Sequence, residues 1–309
     1  MTLTESIINV DDFQLKVQRK GNGIPCLIIG PGLYLSTLPE ALFNHVEFFA
    51  VDYYWTTDAN IPSEKSKALT LEILIEDIDK IRQALSLDKI LVFGPSAVGL
   101  VAMKYGHQYP EHTYGVIAIG TPPSVVNLGE KGKQFMDANF NPDSATGSTL
   151  KTDWSLSRWQ LHQETTKQYQ HVANDMTQAP INRYLAELRR DAYKYYIDPT
   201  KTDEEIYRRW RNFNITTRER FFEIMGQFDD TFLKNNYICP TIIINGAHDG
   251  IAPCFLASDF FANNDKITCY SDPLAAHMPQ LESPDFFEKV VVKWLNQLTT
   301  KKVLASQFQ

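Results

Sequence analysis

Two hydrophobic patterns take turns along the first third of the chain. Short unbroken apolar runs recur at PCLIIG (Pro25 to Gly30), HVEFFAVDYY (His45 to Tyr54), KILVFG (Lys89 to Gly94) and YGVIAIG (Tyr114 to Gly120). Runs of this length and composition predict strands buried on both faces. FQLKVQ (Phe13 to Gln18) instead alternates apolar and polar residues and predicts an exposed edge strand. Between the runs, LTLEILIEDIDKIRQAL (Leu69 to Leu85) places Leu71, Leu74, Ile75, Ile78 and Ile81 on one helical face. AVGLVAMKYGHQYP (Ala97 to Pro110) predicts a second helix, closed by its proline. Strands alternating with helices predict an α/β fold with a mostly parallel central sheet and helices on both faces.

Past Thr121 this rhythm stops. From Ser124 to Tyr237 the chain offers helical and polar segments with no buried strand pattern. Aromatics crowd this stretch, among them Trp154, Trp159, Trp210, Tyr169, Tyr184, Tyr193, Tyr195 and Tyr196. Their first reading is the segment's own core, and that of Arg189, Arg190, Arg208, Arg209, Arg218 and Arg220 is solvated faces. The α/β pattern then returns with CPTIIING (Cys239 to Gly246), KITCYS (Lys266 to Ser271) and a closing helix, FFEKVVVKWLNQL (Phe286 to Leu298). The simplest organisation is one α/β core, residues 1–123 and 237–309, interrupted by a helical insertion, residues 124–236.

Composition narrows the function. With 309 residues, 43% hydrophobic and 22% charged, the chain has an ordinary globular make-up. A formal net charge of −7 argues against nucleic acid or an anionic membrane as the main partner. Cys26, Cys239, Cys254 and Cys269 are scattered singly, which suits free thiols, and Cys26 and Cys269 fall in strand-like runs. The N-terminus lacks a basic segment followed by a long apolar one, and no apolar run is long enough to span a bilayer. A cytoplasmic protein without membrane insertion is expected, its oligomeric state left open.

Candidate chemistry begins at LVFGPSAVG, Leu91 to Gly99. A buried strand stops at Gly94, Ser96 follows, and a helix starts at once. That context fits a nucleophile elbow, a sharp turn that lifts a serine hydroxyl clear of the sheet edge. The small Gly94 and Ala97 let strand and helix cross, and the helix N-terminus favours developing negative charge. Taken alone, the same residues also describe a loop serine capping a helix. The second glycine expected two residues after the serine is Val98, with Gly99 one place late, so a wider strand–helix spacing is expected.

A serine hydroxyl needs a histidine to take its proton and a carboxylate to hold the histidine. TIIINGAHDGIAP places Asp249 just past a buried strand, and SDPLAAHMPQLESP places His277 before the last helix. Serine, acid and histidine therefore occur in the chain order of an α/β-hydrolase. Asp272 is the rival acid, and His248 reads as a loop residue.

Together GPSAVG, GAHDGIAP, AAHMPQLESPDFF and IAIGTPP resemble the α/β-hydrolase superfamily, in particular its proline-iminopeptidase-like branch with a helical cap. The resemblance covers roughly residues 10–123 and 237–299. It implies a serine hydrolase with Ser96, Asp249 and His277 as catalytic residues and no metal or organic cofactor. It also implies an oxyanion hole from the Ala97 N–H and an N–H of the loop IIGPGLYLS, which is Leu33 by alignment or Gly30 in another register. Pro31 has no N–H to give. The branch's Asp-x-Arg-Gly-x-Gly loop is reduced to Asp52 in VDYYWTTDAN, where Tyr53, Tyr54 and Trp55 read as packing residues ahead of pocket residues. Its cap glutamate motif, which holds a free amine, is absent near GQFDDTF.

The resulting expectation is hydrolysis of an ester, amide or related acyl bond in a small to medium substrate. An acyltransferase on the same scaffold is one alternative. A catalytically silent binding protein that keeps the fold is the other.

Overall fold

The structure is a computed structural model that describes residues 1–30, 32–53, 68–141, 153–197 and 215–306. Its centre is one eight-stranded sheet in the order β1-β2-β4-β3-β5-β6-β7-β8. The strands are β1 (Thr4–Val10), β2 (Phe13–Gly21), β3 (Ile24–Ile29), β4 (Val46–Val51), β5 (Ile90–Pro95), β6 (Thr113–Ile119), β7 (Thr241–Gly246) and β8 (Ile267–Asp272). β1 with β2 and β2 with β4 are antiparallel, and every other pairing is parallel.

The apolar runs form the parallel part because both of their faces are covered. Alternate residues divide between two cores. Leu27, Ile29, Val92, Val116, Ala118 and Ile243 enter one, beside Leu74, Ile75, Ile78 and Ile81 of α1 (Leu71–Ala84) and Leu100, Val101 and Met103 of α2 (Val98–Gln108). Cys26, Ile28, Leu91, Phe93, Ile117, Ile119 and Ile242 enter the other, which the closing helix covers with Phe287, Val291 and Trp294. The period of two along each strand thus feeds two layers of helix. α1 begins where the Thr70 hydroxyl accepts the Ile73 N–H at 3.3 Å, an N-cap.

Two expectations change. The alternating strand β2 is not at the edge; β1 pairs with it from Thr4↔Arg19 to Val10↔Phe13 and takes that place. TESIINV carries little signal because most of it is exposed, with Ile7 66% accessible. The strand–helix crossing after Ser96 is also not held apart by Val98. Gly99 makes the close approach: a Cβ on Gly94 would lie 2.7 Å from the Gly99 Cα, and one on Gly99 would lie 2.2 Å from the Thr121 hydroxyl. The tight contact moves one residue along the helix, and Val98 is left half-buried.

Between β6 and β7 the described residues hold helices and no strand. These are α3 (Leu128–Phe140), α4 (Asp153–Asn174), α5 (Pro180–Arg190), α6 (Ala192–Tyr195), α7 (Ile215–Gly226) and α8 (Thr231–Asn235). Met136, Phe140 and Tyr193 form a small core of their own, with Trp159 against it. Trp210, Arg208 and Arg209 lie outside the described residues, as do Pro31, Tyr54 and Trp55. Tyr53 is fully buried in the main core. After β7 come α9 (Cys254–Phe260), α10 (Pro279–Glu282) and α11 (Pro284–Ser306). No described helix is long and apolar enough to cross a membrane.

The strand order places the site. β3 lies between β4 and β5, so the chain leaves β3 to one side and β5 to the other. A crevice opens where neighbouring strands send their loops apart, at the carboxyl ends. The loop after β3 carries Leu33, and the turn after β5 carries Ser96.

Candidate active site

Ser96 has φ of 51°, the left-handed region that a residue with a Cβ rarely adopts. Its N–H donates to the Ile119 carbonyl at 2.7 Å, and its carbonyl accepts from the Gly99 N–H at 3.0 Å and the Thr121 hydroxyl at 3.0 Å. These bonds hold the strained turn at the end of β6, the arrangement in which strain accompanies function. Among the described residues the Ser96 hydroxyl has no hydrogen-bond partner, and Ser96 stays partly exposed. Ala97 is buried at the start of α2, where a helix leaves its first N–H groups unbonded.

His277 and Asp249 meet from separate loops. His277 Nδ1 lies 2.8 Å from Asp249 Oδ2, with the carboxylate fully buried. A carboxylate only accepts, so Nδ1 donates to it, and in the neutral ring Nε2 is left as an acceptor. The other oxygen, Oδ1, accepts the N–H groups of Ile251 and Ala252, each at 2.8 Å. Asp249 is therefore fixed before it fixes the histidine. Gly120 follows Ile119 with φ of 53°, and a Cβ there would lie 2.9 Å from Nδ1 and Cε1 of His277. The imidazole thus packs on the residue after the one that holds the Ser96 N–H. Serine and histidine flank the same end of β6.

The rival acid sits elsewhere. Asp272 is buried at the end of β8 and accepts the Leu274 N–H at 2.9 Å. His248 is also buried, with Nε2 2.9 Å from the Pro273 carbonyl, and serves the loop. Leu33 lies in the 3-10 turn Gly32–Thr37, in its first turn, where N–H groups have no partner within the turn. Gly30, at φ of 149°, packs against the Tyr34 ring. Among the described residues no group of three or more His, Cys, Asp and Glu is placed to hold a metal ion.

Several residues at this site carry no sequence signal. The Asn245 amide pairs with both the N–H and the carbonyl of Thr121 at 3.1 Å, which joins β7 to the loop after β6. Consecutive backbone groups near the end of α6 bond the loops that carry Asp249 and His277. The Lys194 carbonyl accepts the Gly250 N–H at 3.0 Å, and the Tyr195 carbonyl accepts the His277 N–H at 2.9 Å. The buried Arg158 of α4 donates to the Tyr193 carbonyl through Nε at 3.1 Å and through Nη2, and to the His248 carbonyl at 3.3 Å. Burial lowers its pKa to about 10, against the pull of Glu282 and Asp249, so it stays charged at neutral pH.

Glu282 closes the arrangement. Its two oxygens accept the Ile197 N–H at 2.6 Å and the Ala276 N–H, just before His277, at 2.8 Å. Burial pushes its pKa up to about 7, against the lowering by those two bonds. The unfolded chain gives up this proton at an ordinary carboxyl value, so the folded state keeps it over a higher range. Stability from this group is complete below that ordinary value and is lost as pH rises through about 7. Denaturant unfolding of wild type and Glu282→Gln should therefore give a stability difference that falls, by at most about 3 kcal/mol, between pH 5 and pH 8. A difference that stays flat or grows would contradict the assignment.

The sheet order, the turn at Ser96 and the paired loops define an α/β-hydrolase arrangement. Residues 35–284 match the alpha/beta hydrolase fold family, and the chain belongs to it. It is 22% identical over 307 residues to the AB hydrolase superfamily protein YclE of Bacillus subtilis (strain 168), spanning 94% of this chain and 98% of that protein. In fold it is similar to a proline iminopeptidase of Mycobacterium smegmatis, with TM-score 0.67, 13% identity, and 97% and 100% of the two chains covered. It is likewise similar to the esterase EaEST of Exiguobacterium antarcticum, with TM-score 0.62, 14% identity, and 95% and 100% covered. Family membership supports hydrolase activity in general.

Proposed function

We propose that this chain is a serine hydrolase that cleaves an ester, amide or related acyl bond of a small to medium substrate. The observation that carries the proposal is the Asp249–His277 pair, 2.8 Å apart, packed beside the left-handed Ser96 turn. In this reading His277 Nε2 takes the Ser96 proton as the oxygen attacks the acyl carbon. The carbonyl oxygen becomes an oxyanion held by the N–H groups of Ala97 and Leu33. Collapse expels the leaving group, which takes the proton from His277, and an acyl-enzyme remains. Water then attacks with His277 as base again, and the acid leaves as Ser96 regains its proton.

Residues 124–236 act here as a cap over a core of residues 1–123 and 237–309. The bonds from Lys194, Tyr195, Ile197 and Arg158 to the acid and histidine loops support this reading. A cap limits access, which favours small substrates. The four unpaired cysteines fit a cytoplasmic setting.

Rapid mixing with p-nitrophenyl acetate tests the proposal. The expected result is a burst of nitrophenolate close to one equivalent of enzyme, followed by slower turnover. If a folded sample turns over none of a panel of short-chain esters, long-chain esters and aminoacyl amides, the hydrolase reading fails and a silent binding protein takes its place. If an added alcohol captures most of the acyl group, acyl transfer replaces hydrolysis.

A further inference from the structure

The helices between β6 and β7 bring Tyr195 against His277 and a cation against Tyr184, and the proposed reaction leaves them unused. Tyr34 directly follows Leu33 and packs on Gly30, whose Cβ position lies 3.9 Å from Pro95, the residue before Ser96. Tyr195 meets the His277 ring edge-on, with centroids 5.4 Å apart. Tyr184 of α5 is buried, and its phenol interacts electrostatically with those of both Tyr34 and Tyr195. Tyr34 thus lies on the loop after β3 and Tyr195 beside His277, with Tyr184 electrostatically coupled to both. Burial raises the pKa of all three phenols, so each stays a hydrogen-bond donor at neutral pH.

Arg218 of α7 stands over Tyr184. Its guanidinium lies 4.3 Å from the Tyr184 ring centroid and 4.9 Å from that of Phe222. The nearby acids are engaged with other cations. Asp191 pairs with Arg190 at 2.8 Å and Lys194 at 3.3 Å, and Glu187 lies 3.9 Å from Arg190. Among the described residues Arg218 has no carboxylate partner. The guanidinium shares a hydrogen bond with the Tyr184 hydroxyl, and a guanidinium beside protonated phenols offers several donors that suit a planar anion.

We infer that Arg218, with the Tyr184 and Tyr195 hydroxyls, forms a subsite for a carboxylate on the substrate, so that the preferred substrates are esters or amides of acidic molecules. This rests on the serine-hydrolase reading and names the substrate class for the same site. It also fits a chain of net charge −7, since recognition of an anion by an acidic protein requires a local cation.

The test compares p-nitrophenyl monoesters of glutarate and adipate with the same compounds carrying a methyl ester on the far carboxylate. Capping removes the charge and keeps the chain. The readout is the ratio of kcat/KM for the free acid to that for the capped ester within each enzyme, which cancels any general loss of activity. Wild type should show a ratio of about ten or more for at least one chain length, as a charge-assisted contact implies. The ratio should fall to about one in Arg218→Gln, recover in part in Arg218→Lys, and decline in wild type with added salt. A wild-type ratio of one or less, or an unchanged ratio in Arg218→Gln, overturns the subsite and leaves the hydrolase reading standing. Failure of folded wild type to hydrolyse both the free acids and the capped esters defeats the hydrolase reading, and the subsite with it.

Discussion

Ser96→Ala is expected to lower kcat toward p-nitrophenyl esters by roughly 10⁵-fold or more, with little change in KM. The hydroxyl is the only part of the reacting system that this change removes. Ser96 holds its turn through backbone groups, its N–H to Ile119 and its carbonyl from Gly99 and Thr121, so alanine keeps those bonds. The fold should persist, and a thermal melt within a few degrees of wild type would establish that. The remaining rate would come from the oxyanion donors acting on bound substrate with water as nucleophile. A folded Ser96→Ala variant that kept even one-tenth of the activity would place the nucleophile elsewhere.

Asp249→Asn should cost about 10⁴-fold in kcat, for a different reason. Asparagine can keep its carbonyl oxygen toward the N–H groups of Ile251 and Ala252, which hold Oδ1 at 2.8 Å. Its amide then turns N–H donors toward His277 Nδ1. That nitrogen must become the acceptor, so the proton moves to Nε2 and the proposed base is lost. Alanine would instead leave the Ile251 and Ala252 N–H groups unbonded in the interior, which mixes instability with chemistry. Steady-state kinetics across pH separates these effects, because the tautomer defect persists in a fully folded variant. Asp272→Asn serves as the contrast, since that carboxyl bonds Leu274 and does not reach His277. A larger loss from Asp272→Asn than from Asp249→Asn would reverse the two roles.

What the chain reveals by itself follows from what each region needs. The parallel strands are readable because burial on both faces demands unbroken apolar runs. Ile28 and Ile29 enter opposite cores from adjacent positions. The residues proposed for the chemistry, Ser96, Asp249 and His277, stand out because each follows a strand or precedes a helix in a short, glycine- or proline-marked loop. β1 escapes because an exposed edge strand needs backbone pairing and little burial, so TESIINV shows no run. The place of Gly99 escapes because its contact partner is Thr121 on another loop.

Arg158, Glu282 and Tyr195 escape for a deeper reason. A buried arginine looks like any solvated arginine in a sequence, and its burial depends on which helix it docks. Glu282 bonds Ile197 across the whole of β7, α9 and β8. Such contacts arise when one segment settles on another, and no local spacing encodes them. The same holds for Arg218, which the sequence offers only as one cation among several on helical faces.

The proposed reaction stands or falls on an activated serine at position 96. Treatment of the folded protein with a fluorophosphonate probe, followed by mass spectrometry of the intact chain and its peptides, tests it most directly. One adduct per chain is expected on the peptide carrying Ser96, absent in Ser96→Ala and strongly slowed in His277→Ala. An adduct mapped to another residue, or an unmodified wild-type protein, would contradict it.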